Sequence, residues 1–104
     1  MSTPRAQLVE LLREVQDHLH NELLPFWRTH GIDKDYGGYL TYFDRRGRPT
    51  GETDKTLVCQ TRMLYSYSAA HREGVGDGAY LGQATQGFEF LVARLWDDEH
   101  TGWY

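Results

Sequence analysis

The sequence is short of three things: cysteine, positive charge and long apolar runs. Its one thiol, Cys59, excludes an internal disulfide and suits a reducing compartment, so a cytoplasmic location is the expectation. Lys and Arg number 11 against 15 Asp and Glu, a formal net charge of −4. That balance is a poor match for a phosphate backbone and argues against a nucleic-acid partner. No stretch reaches the roughly 20 consecutive apolar residues of a membrane-spanning helix, which argues against a bilayer crossing. The first residues, Met1 to Asp17, carry charges every few positions instead of the apolar core of a secretory signal. A length of 104 residues leaves room for one compact domain. Aromatic residues, by contrast, make up 13% of the chain, and such rings suit cores as well as sites that present an apolar face with a polar edge.

The clearest periodic element opens the chain. Thr3 can cap, Pro4 is acceptable at the first helical position, and Leu8, Leu12, Val15, Leu19 and Leu23 recur at three to four residues. Arg5, Glu10, Arg13, Glu14 and Asp17 fall opposite, which predicts one buried stripe, one wet face and an end near Leu24 enforced by Pro25. A turn-rich run from Gly31 to Gly38 leads into Tyr39-Leu40-Thr41-Tyr42-Phe43. With the turn Asp44–Pro49 and a return to Asp54, this predicts a small two-stranded hairpin. A second helix is expected from about Lys55 to Glu73. A third is expected after Asp77-Gly78 to about Trp96, with Leu81, Ala84, Phe88, Leu91, Val92 and Leu95 inward and Gln83, Gln86 and Arg94 outward.

One loop recurs. Asp33-x-Asp35-x-x-Gly38-Tyr39 aligns with Asp97-x-Glu99-x-x-Gly102-Trp103 at an offset of 64 residues, Gly38 to Gly102. The unit is therefore a helix pair plus a loop that turns the chain round. About one and a half units are present where roughly three or more are normally needed. The chain ends inside the second copy, so the expectation is the N-terminal piece of a longer protein.

The second helix carries the chemistry. From Thr56 to Ala70 its only formal charge is Arg62. At about 100° per residue, Leu57, Gln60, Leu64 and Tyr67 share one face. Val58, Cys59, Tyr65, Ser66 and Ala69 surround Arg62 on the other. A helix without a charged face is expected to be packed on all sides, hence inner, with the first and third outer. A buried guanidinium needs a partner, because leaving it unpaired costs at least several kcal/mol. The partner is either a carboxylate elsewhere or an oxygen that becomes negative during a reaction.

Other groups carry less. Asp33 to Asp44 partly imitates a calcium loop, but lacks an oxygen side chain at the fifth position and Glu at the twelfth. A turn in which Asp bonds its own backbone is the preferred reading. His18, His20, His30, His71 and His100 show no metal-ligand spacing. Gly74-x-Gly76-x-Gly78 follows no strand and makes a poor phosphate site, and Cys59 reads as an inert core thiol.

The segment Lys55–Ala70 resembles the first inner helix of the N-acylglucosamine 2-epimerase superfamily, which includes cellobiose 2-epimerases and mannose isomerases. The likeness rests on Lys55, the Gln60-x-Arg62 step and the aromatic-small tail. Phe26-Trp27, Asp35-x-Gly37-Gly38-Tyr39 and Ala79-Tyr80-Leu81 extend it over about residues 20 to 104. The resemblance implies an all-α fold. Residues 1–104 would form the N-terminal portion of a six-hairpin glycosidase-like (α/α)6 barrel of alternating outer and inner helices, with a small β-hairpin between the first two. It implies proton transfer at C2 of an open-chain aldose through an enediolate, by a 2-epimerase or aldose–ketose isomerase that uses no cofactor or metal. The partner would be a small carbohydrate, and a homodimer of the complete protein stays open. Arg62 matches the family arginine that stabilises the oxyanion, while the acid/base histidines and glutamate of the family fall beyond residue 104. Cys59, Tyr65 and Ser66 are candidate substrate contacts through the face they share with Arg62. Two other readings stand beside this one. In a non-catalytic helical binding or assembly module Arg62 would simply be ion-paired. An (α/α)-barrel glycoside hydrolase would need paired carboxylates, and the second helix offers none before Glu73.

Overall fold

The computed structural model describes residues 2–104. Helix α1 spans Pro4–His18, and Thr3 Oγ1 accepts the Ala6 N–H at 3.1 Å as its cap. The chain does not break at Pro25. It passes through a π-helical turn, Leu19–Leu23, directly into α2, Leu24–His30. The Leu24 N–H donates to Leu19 O, five residues back; this wider turn accommodates the proline ring, and at the start of α2 its missing N–H is not needed.

The stripe expected to bury α1 is open. Leu8 is 67% exposed, and Leu12 and Val15 are each 56% exposed. The molecule measures 63 × 30 × 24 Å along its principal axes, and no described residue covers this face. Burial starts only at Leu24.

Between α2 and the next helix, the expected hairpin reduces to two isolated antiparallel bridges, Ile32 with Tyr39 and Phe43 with Pro49. Asp44 organises the tip by accepting the Arg46 and Arg48 N–H groups, and Pro49 has no N–H to extend a ladder. Helix α3, Leu57–Arg72, is capped by Thr56, whose Oγ1 accepts the Cys59 N–H. Helix α4, Ala79–Phe90, runs into a second π-helical turn, Leu91–Leu95. The strands β1, Trp96–Asp97, and β2, Gly102–Trp103, then pair antiparallel.

The core is a tyrosine stack. Tyr39 and Tyr67 lie 5.0 Å apart between ring centroids, and Tyr67 and Tyr80 lie 6.0 Å apart, flanked by Leu24, Ala70 and Ala84. The Tyr39 hydroxyl donates to Gln83 O at 2.8 Å and that of Tyr67 to Trp27 O at 2.7 Å, so neither buried polar tip is orphaned. Burial pushes both phenols up from their ordinary pKa.

Two glutamines hold the loop to the helices. Gln60 Oε1 accepts the Tyr39 N–H at 2.8 Å, and its Nε2 donates to Tyr39 O at 2.9 Å. Gln86 does the same for Gly38, at 3.1 and 3.3 Å. Each amide stands in for a missing neighbouring strand. This rotates the face expected for α4, which keeps Ala84 and Leu91 inward and turns Leu81, Phe88 and Val92 out. Tyr80, Ala84, Gly87 and Leu91 are buried, whereas Leu81, Phe88 and Val92 are 50%, 58% and 47% exposed. The loop needs hydrogen-bonding groups more than apolar cover, so the glutamine side turns inward.

An ion pair closes the same loop. Lys55 Nζ lies 2.6 Å from Asp33 Oδ2, with only 9% and 4% of the two side chains exposed, and Lys55 also donates to Thr53 O. Asp33 Oδ1 accepts the Asp35 and Tyr36 N–H groups, the self-bonded turn preferred over a calcium loop. Burial alone would raise the Asp33 pKa. The Lys55 ammonium and the two N–H groups outweigh burial and hold it below the ordinary carboxylate value.

Replacing Gln60 with Ala should strip both main-chain partners from Tyr39, at about 1–3 kcal/mol for each unsatisfied group. Thermal unfolding followed at 222 nm should then move down by roughly 10 °C or more; an unchanged midpoint would refute the clamp. The depressed Asp33 carboxyl contributes stability that is fully present above its unfolded value near 3.9 and lost as pH falls through its lower folded value. Urea titrations from about pH 5 to 3 should therefore show the stability gap between wild type and Asp33→Asn narrowing as acid is added.

Candidate functional site

Gln60 fixes the rotation of α3. Leu57, Gln60, Leu64 and Tyr67 form its covered side, with Gln60 and Tyr67 fully buried. Arg62 lies two residues on, about 200° round the helix, so it must face away from the loop that Gln60 grips. Arg62 is exposed and makes no ion pair with any described residue. The expectation of a helix packed on all sides is thus met on one half only. The other half is open around Cys59, Arg62 and Tyr65, because α4 and the loop both sit on the Gln60 side, while the first π-helical turn approaches it at Ser66 and Ala69.

The remaining candidates share that open half. Cys59 is exposed, which corrects its reading as a core thiol. Tyr65 is 69% exposed, and the Ser66 hydroxyl donates to Arg62 O at 3.0 Å, one turn back on its own helix. Tyr65 and Ser66 also line an apolar groove of about 260 Å³ with Leu19, His20, Ala69 and Glu73, where the first π-helical turn approaches α3. Arg62 and Cys59 lie outside it, further along the same face. The structure therefore places all four residues on one surface and brings two of them to a cavity.

The formal charge that this half of α3 presents is Arg62. Helix α3 has no Asp or Glu. All five histidines are exposed; His18 pairs with Glu22 and His100 with Asp97. No group of three His, Cys, Asp or Glu side chains among the described residues is placed to hold a metal ion. The residues whose roles the sequence reading missed are Lys55 and Gln60, which entered only as parts of a motif. A signal was present for Gln60: a lone amide on the face of Leu57, Leu64 and Tyr67 must find buried partners.

Residues 38–104 match the family described as N-acylglucosamine 2-epimerase (GlcNAc 2-epimerase). The cellobiose 2-epimerase of Dictyoglomus turgidum is 29% identical over 94 residues, covering 90% of this chain and 24% of that protein. The mannose-6-phosphate isomerase of Rhizobium meliloti is 36% identical over 61 residues, 59% of this chain and 16% of the relative. Among solved structures, the cellobiose 2-epimerase of Spirochaeta thermophila superposes on the whole chain with a TM-score of 0.81 and 28% identity, over 25% of its own length. The chain thus spans about a quarter of the relatives it matches most fully, and its helices form part of an (α/α)6 barrel. By the match over residues 38–104, the chain belongs to the N-acylglucosamine 2-epimerase family.

Proposed function

We propose that this chain forms the oxyanion-stabilising wall of a sugar 2-epimerase or aldose–ketose isomerase. The substrate is an open-chain aldose, and the reaction moves a proton at C2. Removing that proton leaves the electron pair delocalised over C2, C1 and O1 as an enediolate, with the negative charge largely on O1. A fixed cation beside O1 lowers the barrier because it interacts more strongly with the developing oxyanion than with the neutral carbonyl.

The observation that carries this reading is the unpaired Arg62 on the open half of α3. Lys55, by contrast, is spent on Asp33. Here the guanidinium keeps its donors for an incoming group. Cys59 and Ser66, on the same side, are small enough to let a sugar approach it, and Tyr65 offers an aromatic flank of the kind that suits a carbohydrate's apolar face. The curated relatives named above are epimerases and isomerases of sugars, which supports a carbohydrate as the ligand. No proton-transfer group is assigned within these residues.

A chimera in which this chain replaces the matched quarter of the Dictyoglomus turgidum enzyme tests the role directly. Arg62→Ala in that chimera should lower kcat by about 10²–10³-fold. Its unfolding midpoint should stay nearly unchanged, since substitutions at exposed, unpaired positions fall within about ±0.5 kcal/mol. A lowered unfolding midpoint with kcat unchanged at temperatures where the chimera stays folded would identify Arg62 as structural. The 104-residue chain on its own should not exchange the C2 hydrogen of cellobiose or mannose for deuterium in D₂O, as followed by proton NMR. Detectable exchange would place the proton-transfer groups among the residues described here.

A further inference from the structure

The short connection between α3 and α4 holds an aspartate in a conformation that suits glycine. Asp77 has φ 51° and ψ 44°, and it stands between Gly76 at φ 73° and Gly78 at φ 85°. In this left-handed region the Cβ of an L residue crowds the following carbonyl, whereas glycine enters it freely. Aspartate in a turn commonly compensates by accepting hydrogen bonds from its own backbone. The Oδ1 of Asp33 accepts the Asp35 and Tyr36 N–H groups, that of Asp44 the Arg46 and Arg48 N–H groups, and that of Asp97 the Glu99 and His100 N–H groups. Asp77 is exposed, and its carboxylate has no hydrogen-bond or ion-pair partner among the described residues.

The next residue matters as much. Asp77 precedes Gly78, and no other aspartate or asparagine of the chain precedes a glycine. A Cβ at Gly78 would meet nothing within 4 Å, so neither a side chain nor a neighbouring element crowds that residue. A Cβ at Gly76 would come 2.8 Å from Tyr80 Cε2. The connection is therefore pinned against the tyrosine stack at Gly76 and open to water at Asp77 and Gly78.

We infer that the Asp77–Gly78 bond is a site of spontaneous main-chain isomerisation, at which aspartate converts through a cyclic imide to an isoaspartyl linkage. The Gly78 nitrogen gives up its proton to solvent, and its lone pair attacks Asp77 Cγ. The N–Cγ bond forms as a Cγ–O bond breaks, and that oxygen leaves as water after taking a proton. A second water then adds at the main-chain carbonyl carbon of Asp77, and the bond from that carbon to the Gly78 nitrogen breaks. The main chain now runs through Cβ and Cγ, and the former carbonyl carbon carries a free carboxylate. One water leaves and one enters, nothing is oxidised or reduced, and the mass is unchanged. The free carboxyl of Asp77 and the bare nitrogen of Gly78 make this bond more reactive than the other aspartyl bonds, whose turn carboxylates are tied to N–H groups or whose next residue bears a side chain. The added methylene also releases the left-handed torsion that Asp77 bears in the unmodified chain.

Storage of the folded 104-residue chain near neutral pH for several weeks, followed by tryptic mapping, tests the site. The peptide Glu73–Arg94 should split into two species of equal mass and different retention, at least about ten-fold faster than any other aspartyl peptide. Asp77→Glu, which would have to close a larger ring, should slow the split by about ten-fold or more. Gly78→Ala, whose methyl group shields the nitrogen, should do the same, and far-UV circular dichroism reports whether each variant keeps its helices. Three results would overturn the assignment: no second species from the folded chain, a rate no greater than that of the other aspartyl peptides, or a split that persists unchanged in Asp77→Glu. A split that arises in urea but not in the folded chain would count equally against it.

Discussion

The architecture depends on one side chain doing the work of a β-strand. The Tyr39 main chain faces away from its bridge partner, inside the protein, where water cannot serve it. Gln60 supplies a donor and an acceptor at strand-like distances and so satisfies both groups at once. A charged side chain in that place would have to shed its hydration without an opposite charge to face. An aliphatic one would leave two buried polar groups unmet. An amide sets a donor and an acceptor side by side without charge, and glutamine has the reach. The tyrosine stack, the position of Gly38 and the contact of Gly87 with Tyr39 follow once this loop is seated. A methyl group at Gly87 would overlap the Tyr39 hydroxyl, so α4 can approach the ring only where a side chain is missing.

The same bond sets where chemistry can occur. A helix gripped on one side at Gln60 cannot rotate, and helical geometry then carries Arg62 to the far side. The buried ion pair of Lys55 with Asp33 lies just ahead of the α3 N-cap and holds the start of that helix against the loop. The motif Lys55…Gln60-x-Arg62 is therefore two anchors and one presented group. Its spacing reflects the rotation of the helix.

Much of this was readable in advance because it is local. The Thr3 cap, the two faces of α3 and the self-bonded Asp33 turn depend on residues within one or two turns of each other. The repeat of that turn at Asp97 was legible as a pattern and holds down to individual hydrogen bonds. What failed depends on partners distant in sequence. Gln83 and Gln86 read as solvent-facing because amides usually are, and the loop 48 residues before Gln86 explains why Gln86 turns inward. The α1 stripe read as buried because its period is correct, yet periodicity names a face without naming what covers it. Pro25 read as a stop because the rule assumes an i to i−4 ladder, and the π-helical turn removes that assumption. Arg62 was correctly singled out as the lone formal charge from Thr56 to Ala70, but its burial was inferred from neighbours that lie on one side only.

Solvent decides how much that arginine can achieve. Two unit charges 4 Å apart attract by about 1 kcal/mol in water and by about 4 kcal/mol at the effective dielectric typical near a protein surface. On the open half of α3 the guanidinium sits at the watery end of that range. A hundred-fold effect on rate requires about 2.7 kcal/mol, which that limit does not supply. For Arg62 to stabilise an enediolate usefully, further protein must cover this face and exclude water around the sugar. The exposed apolar and aromatic residues flanking it, Val58 at 56% and Tyr65 at 69%, mark the face as one suited to such cover. Residues of α3 thus supply the charge and its orientation, while the dielectric that makes the charge effective has to come from whatever closes over them.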